Sequence, residues 1–234
     1  MLRLLQSTAL ICALLGCAPT MIDYEGHRVF NPRYLWALES EKRDRWQQPD
    51  CVLETLALPE AAAVADIGAG GGYFTERFAS WVGPAGRVYA TDVQDAMIAH
   101  LRERVAEHGL ANVEVISAEF DDPTLPDACC DLVFFSSVYK EIEGRVDYMR
   151  KLRPALREGG RVAILEFRSW TLGAGPPRDV RLPPERVASE LAEAGFALVE
   201  SHDFLPREYF LVFAPADGGP EPETATHPEA VGTR

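Results

Sequence analysis

The sequence predicts a three-layer α/β fold built on a seven-stranded sheet whose last two strands form an antiparallel hairpin. Three observations predict it. Strand-like and helix-like patterns alternate six times along the chain, the signature of a sheet covered by helices on both faces. Residues 64–75, VADIGAGGGYFT, run from apolar residues ending near an acid, through glycines, into an amphipathic segment: strand, tight turn, helix. The final strands, residues 196–199 and 209–213, are joined by a link too short for a parallel crossover.

The glycine turn carries the chemistry. Gly68, Gly70 and Gly72 lack Cβ atoms, so they can take positive φ and let main chain approach a bound molecule. The helix opening at Tyr73 offers unsatisfied N–H donors. A dinucleotide pattern, G-x-G-x-x-G, would require a third glycine where Tyr73 stands, and Asp66 would repel a pyrophosphate. An acid there suits a cation, such as the ammonium beside the sulfonium of S-adenosylmethionine (SAM), whose carboxylate can face the helix N-terminus. Residues 86–92 form the second strand and end in Asp92, 20 residues after Gly72. At the carboxyl edge of the neighbouring strand, that carboxylate can accept both hydroxyls of a ribose.

The D-x-G-x-G-x-G run, Asp66 to Gly72, resembles motif I of class I SAM-dependent methyltransferases, and the resemblance extends over residues 31–213. It implies a Rossmann-like sheet, SAM as cofactor and methyl transfer to a small-molecule acceptor. Asp66, Gly68 and Gly70 would hold the amino-acid end of SAM and Asp92 the ribose. Ala118 and Glu119, after strand three at residues 113–117, would meet the adenine edge. Gly72, Tyr73, Val93 and Ser136 complete the expected cofactor contacts. Asp121 and Asp122 read as a solvated turn before Pro123.

The fourth strand, residues 131–135, is continuously apolar, as a doubly covered parallel strand should be. Chemistry in open α/β sheets lies beyond such carboxyl ends, which makes Tyr139, Lys140 and Glu141 the candidate acceptor-side catalytic residues. Upstream, residues 43–49 read R-x-x-W-Q-x-P, similar to a group of bacterial methyltransferase-like proteins. That similarity implies Tyr-His-Glu near positions 139–141, so Lys140 stands where a histidine base is expected. Arg43 and Trp46 become candidates to line the site.

The remaining elements follow from periodicity and caps. Asn31 and Pro32 supply an N-cap and first-turn proline for a helix to about Arg43, with Tyr34, Leu35 and Leu38 as its apolar stripe. A second helix starts near Pro49 and turns Val52, Leu53 and Leu56 inward; the two form a cap ahead of the first strand. The motif I helix packs Phe74, Phe78, Trp81 and Val82 on the sheet until Gly83-Pro84 stops it. A helix over residues 95–108 ends at Gly109. Another spans residues 146–156, before strand five at residues 161–167. Residues 168–182, rich in glycine and proline around Trp170, are a candidate lid. Pro183-Pro184 opens the last helix, which Gly195 caps.

Bulk properties bound the function. The chain has 234 residues and 47% hydrophobic content, enough for one well-buried domain with short extras. A formal charge of −13 disfavours a phosphate backbone, so no nucleic-acid partner is expected. Arg3, an apolar run over residues 4–15 and Gly16-Cys17 occur in the order of a signal peptide. Leu14-Leu15-Gly16-Cys17 resembles the lipobox of bacterial lipoproteins, which implies a signal peptide over residues 1–16 and a lipidated Cys17 as the link to a membrane. Ala18 beside it implies the outer membrane. Residues 17–30 would be a tether and residues 214–234 a disordered tail. A start at Met21 would instead give a cytoplasmic chain. Cys51, Cys129 and Cys130 show no metal-ligand spacing; a disulfide from Cys51 to one of the pair stays open. So does a SAM-fold protein that binds a metabolite without catalysis. A nicotinamide oxidoreductase is disfavoured by Asp66 and Tyr73.

Overall fold

The computed structural model describes residues 21–170 and 175–216. The leader, Cys17 and nearly all of the expected tail lie outside those residues. The chain opens with a hairpin, β1 (Met21–Tyr24) and β2 (His27–Phe30), paired antiparallel with Tyr24 opposite His27. This corrects the expected tether. Glu25 (φ 54) and Gly26 (φ 87) are both left-handed, as a two-residue turn between twisted strands requires. The His27 ring stacks on Phe120 with centroids 3.7 Å apart, which fastens the hairpin to the body.

The helix expected over residues 31–43 is broken. Asn31 does cap a turn, accepting the Arg33 N–H at 3.1 Å. Helical structure then comes as α1 (Leu35–Leu38) and α2 (Asp44–Gln47), with 3-10 turns at Pro32–Tyr34 and Glu41–Arg43. The Arg43 guanidinium donates to the Leu38 carbonyl, satisfying a helix-end acceptor and allowing the chain to turn there. Next, α3 (Pro49–Leu56) begins at its proline as expected.

The body alternates β3 (Ala63–Ile67), α4 (Tyr73–Val82), β4 (Arg87–Asp92), α5 (Asp95–Glu107), β5 (Val113–Ser117), β6 (Cys130–Ser136), α6 (Arg145–Leu152), β7 (Leu156–Phe167), α7 (Pro184–Glu193), β8 (Phe196–His202) and β9 (Glu208–Pro215). The sheet order is β5-β4-β3-β6-β7-β9-β8. The first five strands are parallel, while β9 runs antiparallel to both β7 and β8. Two expected boundaries shift. Pro154 has no N–H to extend α6, which ends at Leu152 in a 3-10 turn. Residues 157–160 form an irregularity between the Cys130–Leu156 and Leu132–Arg161 pairs, so β7 starts earlier than its regular ladder.

Alternation along β6 divides the core. Leu132 and Phe134 join Val52, Phe78 and Val212 on one face; Val133 and Phe135 join Met149, Leu191 and Ile164 on the other. Both faces are sealed, so a ligand site must sit at an end of the sheet. The chain leaves β3 toward β4 and β5, then returns to β6 on the opposite side, which opens a crevice at the carboxyl ends of β3, β4 and β6. The three cysteines among the described residues are free: Cys51 is exposed on α3, and Cys129 and Cys130 are buried with their sulfurs 3.0 Å apart. The Cys51 disulfide left open by the sequence is not formed.

Candidate functional site

A cavity of about 460 Å³ fills that crevice, roofed by the β1–β2 hairpin and the α1–α2 cap. One half is made by the turn after β3. Gly68 (φ 63) and Gly70 (φ 55) turn the main chain back beneath the cavity. A Cβ at Gly68 would meet the Val138 methyl carbons at 2.6 and 2.7 Å, so glycine is required twice over, by φ and by space. The Gly70 N–H donates to Asp92 Oδ2 at 3.0 Å, and the Gln94 N–H to Asp92 Oδ1 at 3.0 Å. These bonds fix the Asp92 carboxylate at the end of β4.

Asp66 lies at the end of β3, accepting the Thr75 hydroxyl at 2.7 Å. Burial raises its pKa to about 7; the Thr75 bond and nearby Arg43 pull it down, while Asp92 adds to the rise. Asp92 is raised by burial as well, against the Gln94 and Gly70 N–H groups. Two buried acids held at adjacent strand ends make an acidic hollow suited to a cation. The Thr91 hydroxyl, buried and without a hydrogen-bond partner, also belongs to the cavity lining.

Val93, Ala118, Glu119 and Ser136 all line the cavity, as does Tyr73. The Tyr73 ring is sandwiched between the Arg43 and Arg77 guanidinium groups, 4.0 and 3.9 Å from its centroid, and its hydroxyl donates to Asp44. Gly72 stands apart. It caps α4 with φ 81 and faces Leu101, outside the lining, so its role is to start the helix. That corrects its expected cofactor contact.

The other half of the cavity is assembled from side chains. Lys140 and Glu141 line it, together with Ile142, Tyr148, Phe167 and Trp46. Tyr139 does not. It is wholly buried in the core with Phe135 and Met149, its hydroxyl donating to Glu190 at 3.1 Å. Its assignment to the acceptor side is therefore corrected: the 3-10 turn Tyr139–Glu141 points successive side chains in different directions, and Tyr139 points into the core. Lys140 Nζ sits 3.6 Å from Glu166 Oε2 and 3.5 Å from Glu141 Oε1, and donates to the Ser137 carbonyl.

Beneath this half lies a buried network that the sequence did not suggest. Gln47 Nε2 donates to Ser136 Oγ at 3.0 Å and to both Glu208 oxygens at 3.1 and 3.2 Å. Ser137 Oγ donates to Glu208 at 3.0 Å, and Arg43 Nε to Gln47 Oε1 at 2.8 Å. Burial raises the Glu208 pKa to about 7, against the Ser137 bond, Arg43 and Gln47. Glu166 is raised by burial and lowered by Lys140. Gln47 was visible as the Q of the W-Q-x-P run; Glu208 and Glu166 carried no spacing signal. Arg43 and Trp46 both line the cavity.

The doubly wound sheet, the glycine turn and the two strand-end acids are arranged as in class I SAM-dependent methyltransferases. Residues 64–160 match the family described as methyltransferase domain. The ubiquinone/menaquinone biosynthesis C-methyltransferase UbiE of Ectopseudomonas mendocina is 35% identical over 116 residues, covering 49% of this chain and 45% of the relative. The chain thus matches about half the length of such curated relatives. A SAM-dependent methyltransferase from Aquifex aeolicus superposes with a TM-score of 0.76 at 26% identity, covering 79% of this chain and 98% of its own. The same fold occurs in the [4+2]-cyclase SpnF, with a TM-score of 0.64 at 17% identity over 76% of this chain and 83% of that one.

Proposed function

We propose that this chain binds SAM in the Asp66–Asp92 half of the cavity and transfers its methyl group to a small, largely apolar acceptor in the Lys140–Glu141 half. The observation that carries this reading is the pair of buried carboxylates beside a turn that only glycine can form. Bound SAM supplies an electrophilic methyl on sulfur. Asp66 offers charge for the ammonium, the N–H groups opening α4 face the carboxylate, and Asp92 takes the ribose hydroxyls. The cap and hairpin exclude water and hold the two reactants in one enclosure, which supplies alignment for an in-line displacement. Lys140, held by Glu166 and Glu141, places an ammonium beside the acceptor, suited to stabilising an acceptor oxygen as an anion before attack. The test is calorimetry with S-adenosylhomocysteine: wild type binds, and Asp92→Ala loses affinity by roughly 100-fold, the loss of charge-assisted bonds to two hydroxyls. Equal affinity of the two proteins refutes the assignment.

A second reading, binding without methyl transfer, is favoured by Lys140 in the place of an expected histidine and by the SpnF fold. Retained S-adenosylhomocysteine binding with no methylated product across an acceptor panel selects it. The lipobox-like Leu14-Leu15-Gly16-Cys17 supports a lipid-anchored protein of the cell envelope, with Cys17 as the mature N-terminus. Mass spectrometry of that terminus tests it: an unmodified chain starting at Met21 selects the cytoplasmic alternative. The charge of −13 supports a chain without nucleic-acid partners.

A further inference from the structure

Basic residues are treated differently in two parts of the molecule. On the body they pair with carboxylates: Arg87 with Glu114, Arg145 with Glu190, Arg157 with Asp131, Arg161 with Glu200. Around the cavity mouth only some do, Arg77 with Asp44 and Arg104 with Glu39 of the cap. Among the described residues, the side chains of Arg28 on β2, Arg33 after it, and Lys42 and Arg45 in the cap are exposed and have no partner. Across the mouth, Arg168 and Arg178 donate to the carbonyls of Asp203 and Trp170. Against these six cations the rim carries Asp23, Glu25, Glu119 and Asp179, while Asp44 and Glu143 are tied to Arg77 and His27. Arg102 on α5 is an unpaired cation away from the mouth. In a chain of −13, where carboxylates are plentiful, unneutralised cations collected at one end are available to an anionic partner.

The same rim carries the two most exposed large apolar side chains described. Trp36 is 68% exposed on α1, beside Ala37 and Leu38 of the cavity lining. Trp170 is 65% exposed and follows Phe167, also of the lining. Tryptophan beside arginine is the composition of a membrane–water interface. Met21 lines the mouth and stands four positions after Cys17, the residue on which the lipid-anchor reading places the acyl chains.

We propose that the rim of the cavity docks on an anionic phospholipid bilayer, with Trp36 and Trp170 in the headgroup layer, and that the acceptor enters from the lipid phase. The docking stands on the rim alone; the entry of an acceptor rests on the methyl-transfer reading. The apolar residues lining the acceptor half suit a molecule that partitions into lipid.

The test uses the full chain on vesicles of phosphatidylglycerol and brominated phosphatidylcholine, read by tryptophan fluorescence. Four tryptophans report, and Trp46 and Trp81 stay inside or on the body. The expected result is strong quenching, reduced by about half or more in Trp36→Phe/Trp170→Phe, the loss of the interfacial pair. Arg33→Glu/Lys42→Glu/Arg45→Glu/Arg178→Glu, four residues outside the lining, should also lose quenching, as should wild type in about 0.5 M salt, which screens surface charge. Undiminished quenching in both variants, or quenching on pure phosphatidylcholine as strong as on the anionic mixture, overturns the proposal. Capture by an acidic polymer with no quenching on vesicles overturns it too. S-adenosylhomocysteine calorimetry on the same variants reads the cofactor half separately: failed docking with retained affinity sinks the bilayer and leaves the methyl-transfer reading standing.

Discussion

The two halves of the cavity are built in opposite ways. The cofactor half is main chain and short-range contacts: Gly70 to Asp92, Asp66 to Thr75, Asp92 to Gln94, none spanning more than 22 positions. The acceptor half depends on side chains drawn from the two ends of the described chain, with Gln47 and Glu208 separated by 161 positions. A site made of local backbone tolerates variation elsewhere and keeps one ligand. A site floored by a long-range polar network can be retuned by single substitutions, which is where acceptor choice would be decided.

Experiments can break that comparison. The largest effect is expected at Glu208. Its replacement by Ala strands the Gln47 amide and brings Arg43 near an uncompensated hollow, with a loss of about 3–5 kcal/mol in urea unfolding. Asp92→Ala should show the reverse pattern: the roughly 100-fold loss of S-adenosylhomocysteine affinity with a smaller stability loss of about 1–2 kcal/mol, since it strands two N–H groups but also removes a carboxylate that burial disfavours. If both variants fail in the same assay, the halves are not independent. Gly68→Ala comes next. Positive φ and the Val138 contact should weaken S-adenosylhomocysteine binding by about tenfold, and Val138→Ala in the same chain should restore part of it by removing the clash. An affinity indifferent to Val138 would mean that φ alone is decisive.

Lys140→Met should leave S-adenosylhomocysteine affinity within about twofold, because Lys140 belongs to the acceptor half, while turnover of an ionisable acceptor falls by about 100-fold. A fall in affinity instead would merge the halves. The smallest effect is in pH. Asp66 and Glu208, both raised by burial to about 7, bind protons in the native state that the unfolded chain has already released. Their contribution to stability is therefore present at acid pH and lost as pH rises from about 4 to about 7. Glu208→Gln has no proton to release there. Its stability relative to wild type should improve by about 1 kcal/mol between pH 6 and pH 7, read from paired urea melts. Glu190, held near 2 first by Arg145, works the opposite way, which is why a difference between variants is needed.

The same contrast explains what was legible in the sequence. Strand, turn and helix at residues 63–82, and the acid ending β4, follow from periodicity, glycine chemistry and one spacing, all local, so their placement and the cavity they line were readable. Glu208 was not: a single acid opening a strand has no pattern, and only the antiparallel return of β9 beside β7 brings it under the cap. Tyr139 and Lys140 are neighbours in sequence, yet one faces the core and the other the cavity, a distinction set by a 3-10 turn whose phase the sequence did not reveal. The hairpin at Met21–Phe30 had a signal that went unused, the Glu25-Gly26 turn between β-prone residues. The Asn31 cap was read correctly and its helix was not, because one apolar turn cannot sustain a long helix without a core to pack on.

The Gln47–Glu208 contact has a further consequence for how the protein is made. Because Gln47 is synthesised long before Glu208, a growing chain carries the glycine turn and its acids well ahead of the carboxylate that secures the roof. The nascent protein must therefore pass through a stage with a finished floor and a loose cover. Any lesion that halts synthesis before Glu208 opens the last strand would leave a chain with its five parallel strands made yet without the clasp on which the enclosure depends.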